Sequence, residues 1–369
     1  MLLAFCGGKH DPQAVLSAFR AHFGNIPIVG GSAAGALVNG ACGYSGLEIA
    51  VAAIFDPALV PQVLAESGLE TNEQETGRRL GARLARTATD QAAVMLLFDS
   101  VARSAPLQLH PASEVVRGVT DGLAGRPVRL FGGGTLTDMN LSDAWVFDGN
   151  TVRKHAVVAL VFPPQIGAEI VILHGCRPVS TFMEITRIDG AEVFELDGRP
   201  ALAVIEQMLG LPLGGSQGQD LSLIATLGEK QGDPFAPYEE SAYVNRLILS
   251  ANRAAGSITL FEPDFARGTR VQIMARDNGL MLDSVRQGIA GLNQVIAGRE
   301  TLLALYIDCA GRASARSGAA VEEADLVRTL LPPALPLLGF YSGVEVAPFD
   351  GYSRPLDWTG VVTVLCRMP

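Results

Sequence analysis

At 369 residues the chain is longer than one average domain, and 48% apolar against 18% charged residues commits it to a large buried core and excludes extended disorder. The formal net charge is −10, with no lysine/arginine stripe and no aromatic-spaced basic patch, which argues against nucleic acid because phosphate contacts dominate that kind of binding. Cys6, Cys42, Cys176, Cys309 and Cys366 are dispersed and make no C-x-x-C pair, so reduced thiols and a cytoplasmic setting are expected.

The chain opens on an apolar run, Leu2 to Phe5, read as a buried first strand. It lacks a basic start and runs straight into Lys9-His10-Asp11-Pro12, unlike a signal peptide. A helix follows from about Pro12 to Phe23. Next comes Pro27-Ile28-Val29-Gly30-Gly31-Ser32, then an extended run from Leu47 to Phe55. Asn72 or Thr71 caps a helix through Arg86, with Leu80, Leu84 and Ala88 at four-residue spacing. The opening order then returns. Val94 to Phe98 is a strand, Ala112 to Leu123 a helix, Pro127 to Gly134 a strand ending in three glycines, and His155 to Phe162 an extended run. Ala156 to Leu173 is the most apolar long stretch. Pro163-Pro164-Gln165 and Glu169 interrupt it, which fits two strands and a turn better than a membrane span, so no membrane insertion is expected.

The middle is strand-rich, with strands at Gly167 to His174, Leu221 to Leu227, Ser257 to Phe261 and Arg270 to Ala275. Gly210 to Gln219 and Gly228 to Tyr238 read as loops, and Ala201 to Leu209 as a short helix. Leu282, Val285, Ile289, Leu292 and Ile296 give the helix from Leu280 to Ile296 one apolar stripe. The opening order appears a third time: Leu302 to Ile307, a helix from about Val321 to Leu331, Pro336 to Gly343, and Thr359 to Leu365. The expected fold is α/β. Mixed sheets are built from repeated β-α-β-β units, helices pack on their faces, and two lobes divide near residues 1–165 and 166–369.

A βαβ crossover places each small-residue turn at the carboxyl end of a parallel strand, where open α/β sheets bind small ligands. The backbone N–H groups of Gly30, Gly31, Ser32 and Ala33 can hold an anion in such a turn, although the loop lacks a phosphate-reaching lysine; tight packing is the alternative. Gly133 and Gly134 form the corresponding turn, with a sharp bend as alternative. Cys309, Gly311 and Arg312 end a strand; a guanidinium there suits a carboxylate, with a structural salt bridge as alternative. Tyr341, Ser342, Gly343 and Glu345 end the equivalent strand, where Glu345 can meet a ligand ammonium or simply cap and pair. Ser32 has no G-x-S-x-G elbow and no assignable base, and Cys309 reads better as core thiol than nucleophile, so no catalytic residue is assigned. The five histidines show no metal-ligand spacing, and no metal site is expected from them; a single histidine suffices for haem.

Several of these segments resemble the FIST family. Asn25 to Gly35 is similar to its "G-C-S/T-x-x-G" turn, with Gly31 in place of the cysteine. Leu130 to Gly134 followed by Val146-Phe147-Asp148-Gly149 resembles the end of its N-terminal part, and Glu195 to Leu202 the opening of its C-terminal part. Cys309-Ala310-Gly311-Arg312 resembles its "C-x-G-R" strand end, and Gly339 to Glu345 its "G-F-Y-x-x-G-E" segment. The five run in family order from Leu2 to about Leu365. Where the family often carries His-Asn-x-Thr, this chain has Arg354 to Thr359. The resemblance implies a small-ligand sensor for an amino acid or related carboxylate metabolite, relaying through a separate signalling partner because no output module is recognised here. It also implies a haem-based gas sensor as an alternative. The other alternative is a hydrolase or transferase acting on a small amide or thioester through Ser32 or Cys309.

Overall fold

The computed structural model describes residues 1–210, 221, 224–349 and 351–368. The loop expected after Gly210 and part of the strand expected at Leu221 to Leu227 lie outside the described residues.

Three segments share one pairing pattern. In the first, Leu2–Gly7 runs parallel to Ile28–Ala33 and antiparallel to Ile49–Ala53, with helix Pro12–Phe23 as the crossover. Local chemistry sets that helix: Pro12 fills the first turn, Asp11 accepts from Gln13 N at 2.9 Å, and Gly24 ends it. In the second, Ala92–Asp99 runs parallel to Val128–Thr135 and antiparallel to Ala156–Val161, crossing through helix Ala112–Leu123. In the third, Thr301–Cys309 runs parallel to Leu337–Ser342 and antiparallel to Gly360–Arg367, crossing through helix Glu323–Leu330.

The sheets are completed by exchange. Each segment carries a hairpin between its second parallel strand and its return strand, and that hairpin joins another segment's sheet. Ala36–Val38, paired with Ala41–Gly43, adds to Leu337–Ser342 of the third sheet. Val146–Gly149 adds to Ile28–Ala33 of the first, and Glu345–Phe349 adds to Val128–Thr135 of the second. Every segment thus gives one strand and receives one, which closes a ring and covers edges that would otherwise expose unpaired amides. Sequence reading did not show these hairpins. The strands are short, and their partners lie in another segment.

The inner faces of the three sheets pack as one core containing Phe5, Met95, Phe131, Leu305 and Phe340, with Phe5 stacked on Phe340 at 4.1 Å between centroids. Helix Glu73–Thr87, capped by Asn72, lies against helix Ala112–Leu123 backbone to backbone; a Cβ on Gly118 would lie 2.0 Å from Gln74 O. The strand-rich middle forms a separate antiparallel sheet. It runs from Cys176–Pro178 through Arg270–Arg276, Met183–Asp189, Glu192–Leu196, Ser257–Leu260 and Tyr243–Asn252 to Ala225–Lys230, which pairs back onto Arg270–Arg276. The last strand reaches into the loop expected from Gly228. The boundary expected at residue 165 does not separate the sheets, because Ala36–Val38 pairs with Leu337–Ser342 and Glu345–Phe349 with Val128–Thr135 across it; Ile166–Leu173 is an edge strand of the third sheet, paired with Gly360–Arg367. No helix among the described residues is long and apolar enough to cross a membrane.

Two polar clamps fix the middle sheet on the ring. Glu262 accepts from Ala112 N at 3.0 Å and Ser113 N at 2.8 Å, capping a helix that has no side-chain cap of its own. The fully buried Arg246 pairs with Asp264 and donates to Pro355 O at 3.2 Å, while Asp357 accepts from Leu247 N at 3.0 Å.

Gly30 and Gly132 occupy matching places at φ +142° and +150°, where a Cβ would lie 1.9 Å from Ala4 O and 1.8 Å from Leu96 O. Gly30→Ala and Gly132→Ala are each expected to lower unfolding free energy by about 3 kcal/mol or more in urea denaturation. Gly24→Ala, with φ +76° but nothing within 4 Å, is expected to cost about 1 kcal/mol.

Candidate functional site

The three strand-end turns converge at the centre of the ring. A Cβ on Gly31 would lie 2.8 Å from Thr135 Cγ2, one on Gly133 would lie 3.4 Å from Ser342 Cβ, and one on Gly343 would lie 2.8 Å from Ser100 Oγ. They do not open equally. Gly30, Gly31, Ser32 and Ala33 are strand interior and fully buried. Ser32 Oγ is engaged with the Trp145 backbone, accepting from its N–H at 3.1 Å and lying 3.3 Å from its carbonyl. Gly133 and Gly134 are likewise sealed, against Val344, Ile307 and Ser100. Packing, not anion capture, explains small residues at these two turns: larger side chains would collide with backbone.

The third turn opens onto a hollow of about 200 Å³ between ring and middle sheet. Cys309, Ala310 and Gly311 line one side, Ser342 and Gly343 another, and Trp358 and Arg316 a third. Leu247, Leu249 and Phe261 come from the middle sheet, and Leu136 from the loop after Val128–Thr135. Of the sequence candidates, Cys309, Gly311, Ser342 and Gly343 meet here.

Arg312 does not join them. It is fully buried, its Nε and Nη2 donate to Glu323 at 3.0 and 2.6 Å, and its Nη1 donates to His174 O and to Trp358 O. Asp308 lies 3.3 Å from Nε. With the whole fork engaged, no face is left for a ligand carboxylate. Tyr341 is also buried, its hydroxyl donating to Glu322 at 2.6 Å. Arg316, in the short helix Ser314–Ser317, does face the hollow; its Nη2 donates to Met139 O at 2.5 Å and lies 3.5 Å from Asn140 Oδ1, and its Nη1 and Nε have no partner among the described residues.

Glu345 lies beneath Ser342, fully buried, and burial pushes its carboxyl up to about 8. Geometry agrees with that direction. Ser342 has one hydroxyl proton and two acceptors in reach, Asp308 O at 3.0 Å and Glu345 Oε1 at 2.6 Å. Protonated Glu345 donates to Ser342 Oγ, Ser342 donates to Asp308 O, and Thr359 N and Oγ1 donate to Glu345 Oε2 at 3.2 and 2.9 Å. As a neutral, internally satisfied carboxyl, Glu345 is poorly suited to an ammonium. Burial likewise raises the Cys309 thiol well above its ordinary range, so it is not held as a thiolate.

Sequence reasoning missed Trp358, which lines the hollow at a left-handed φ of +61°. Arg276 stacks over its ring at 4.4 Å, and its indole N–H is buried without an acceptor among the described residues. An orphaned buried donor costs about 1–3 kcal/mol, and such groups are rare in native interiors. Ser100 Oγ, against Gly134 and Gly343, is another buried polar atom without a partner among the described residues. Neither signal is visible in sequence, since burial defines both.

Arg312→Met is expected to destabilise the protein by about 3–5 kcal/mol, because Glu323 then lies buried without its cation; urea titration measures it. Glu345 is protonated in the fold where the unfolded chain is ionised. Its contribution is therefore fully present below the ordinary glutamate range and is lost as pH rises toward 8. Between pH 5 and pH 7 the wild type should lose stability relative to Glu345→Gln by about 1.4 kcal/mol per pH unit, read from denaturation at each pH.

Residues 1–199 match the FIST N domain and residues 201–348 the FIST C domain. An uncharacterized protein of Mycobacterium bovis is 26% identical over 262 residues, 69% of this chain, and the chain spans 65% of that relative's length. A second uncharacterized protein, from Mycobacterium tuberculosis, is 25% identical over 211 residues, 57% of this chain and 54% of its own length. The crystal structure of a cyanuric acid hydrolase from A. caulinodans aligns over 100% of this chain and 89% of its own at 9% identity and TM-score 0.34. With both family domains matched in order along the chain, it belongs to the FIST family, whose domains are generally ligand-binding sensory modules of signal transduction.

Proposed function

We propose that the hollow bounded by Arg316, Ser342 and Trp358 is the sensing site, and that its ligand is a small carboxylate with an apolar body, amino acids included. The carrying observation is that one apolar cavity is lined both by Arg316, whose Nη1 and Nε have no partner among the described residues, and by Trp358, whose buried indole N–H has no acceptor among them. A carboxylate bound at Arg316 supplies the counter-charge, and an oxygen on the same ligand accepts from Trp358 Nε1. Leu136, Leu249 and Phe261 cover the carbon skeleton. At about 200 Å³ the space is below the range for drug-sized ligands, which favours a metabolite.

Haem is not favoured. No histidine among the described residues lines this hollow, and Asp357, in the stretch where the family often has His-Asn-x-Thr, is committed to the Leu247 N–H and lies 3.9 Å from Arg246. The nucleophile reading is not favoured either, since Ser32 is bound to backbone and Cys309 is held as a thiol. The hollow joins ring to middle sheet, so ligand contact can shift one against the other, and a separate partner protein reads that shift. All five cysteines are unpaired, which suits a reducing, cytoplasmic setting.

Isothermal titration with a panel of amino acids and organic acids is expected to give saturable binding with a change in tryptophan fluorescence. Arg316→Ala should weaken a confirmed ligand at least tenfold, and Trp358→Phe, which keeps the ring but removes the N–H, about five- to tenfold. Unchanged affinity in Arg316→Ala would remove the site from consideration.

A further inference from the structure

Three segments distant in sequence bring together Asp99, His110 and His155, none of which lines the hollow. Asp99 ends the strand Ala92–Asp99, His110 sits just before helix Ala112–Leu123, and His155 immediately precedes the strand Ala156–Val161. His110 Nε2 lies 3.0 Å from His155 Nδ1, Asp99 Oδ2 lies 4.0 Å from the same Nδ1, and one ligand atom from each residue falls within 4.8 Å of the others. Asp99 and His110 are buried, whereas the His155 side chain is 31% exposed, which leaves a way in.

We propose that Asp99, His110 and His155 bind one divalent first-row transition ion, zinc foremost, with a fourth position open toward solvent beside His155.

The spacing suits an ion. Two nitrogens each about 2.05 Å from a metal lie about 2.9 Å apart at a right angle and about 3.3 Å apart in a tetrahedron, and the two rings are already between these limits. All three ligand atoms lie within 4.8 Å of one another, so the set contracts by at most about 1.5 Å onto an ion, with the partly exposed His155 ring the freest to move. Two imidazoles and a carboxylate select borderline transition ions over the oxygen-seeking magnesium and calcium.

The surroundings are also those of a ligand set. Glu73, the first residue of helix Glu73–Thr87, accepts from His110 Nδ1 at 2.9 Å. That contact places the His110 proton on Nδ1 and turns the Nε2 lone pair toward His155 and Asp99, the carboxylate–histidine arrangement that orients metal-bound imidazole. His155 is held at a left-handed φ of +51°, and Asp99 fixes it there by accepting from His155 N and, at 2.9 Å, from Ala156 N. A strained backbone held by its own neighbour is a common mark of a functional position. In the metal-free form His155 Nδ1–H donates to His110 Nε2. On binding, that proton moves to His155 Nε2 through water, both facing lone pairs go to the ion, and no net proton is released.

The test uses the full chain stripped with chelator, then titrated with Zn²⁺ against a fluorescent competitor and with Co²⁺ followed by its visible ligand-field absorption, with Mg²⁺ as control. The expected result is one Zn²⁺ per chain, one coloured Co²⁺ displaced by it, and no saturable Mg²⁺. His155→Asn, which tolerates the left-handed backbone, should weaken Zn²⁺ at least 100-fold, and Glu73→Gln about 10- to 100-fold. Circular dichroism reports whether each variant is folded, and the melting point should rise with Zn²⁺ in the wild type but not in His155→Asn. Failure of the wild type to take up stoichiometric Zn²⁺ or Co²⁺, or uptake that both folded variants retain, overturns the assignment. The outcome is independent of the hollow, because neither variant touches its lining.

Discussion

Backbone amides at a sheet edge must find partners, and this chain meets that demand by exchanging strands among its three βαββ sheets. The placement of everything functional depends on that exchange. Two of the exchanged strands begin three residues after their small-residue turns, at Ala36 and Glu345, and the third at Val146 pairs alongside Gly31, so completing the sheets draws the turns to one point. Close packing there selects glycine, serine and alanine, and the same packing seals two of the three turns.

The third turn differs because charge accompanies it. Arg312, Asp308, Glu323 and Glu345 are all fully buried in its neighbourhood, along with Tyr306 and Tyr341. One guanidinium cannot neutralise three carboxylates. Arg312 therefore holds Glu323 by two direct bonds, while burial drives Asp308 and Glu345 toward their neutral forms. The arrangement is rigid, and it fixes the positions of Ser342 and of the Trp358 carbonyl. The middle sheet supplies the hollow's opposite wall through Leu247, Leu249 and Phe261, and is joined to the ring through Arg246 and Glu262.

Much of the fold was legible in the sequence. Helix Pro12–Phe23 follows from apolar spacing and end signals, and helix Ala112–Leu123 from apolar spacing, signals that act over a turn or two of chain. Apolar runs marked the central strands of all three sheets. The exchanged hairpins at Ala36–Gly43, Val146–Arg153 and Glu345–Leu356 were not legible, because a short strand whose partner lies in another segment has no local pattern. The site divided in the same way. Motif resemblance led to Cys309, Gly311, Ser342 and Gly343, which do share a cavity. It also led to Arg312, whose ion pairs lie eleven residues away at Glu323, and to Gly31, whose neighbours come from the second sheet.

Composition and motif order alone determined that this is an α/β member of a sensory family with a large apolar core, since those properties belong to residue types and short-range periodicity. Only the tertiary structure decided which arginine faces the cavity, that Trp358 buries an unanswered N–H, and that histidines 45 residues apart meet beside Asp99. Burial and chain crossing create those relations; they depend on what surrounds a residue in space, which its sequence neighbours do not specify.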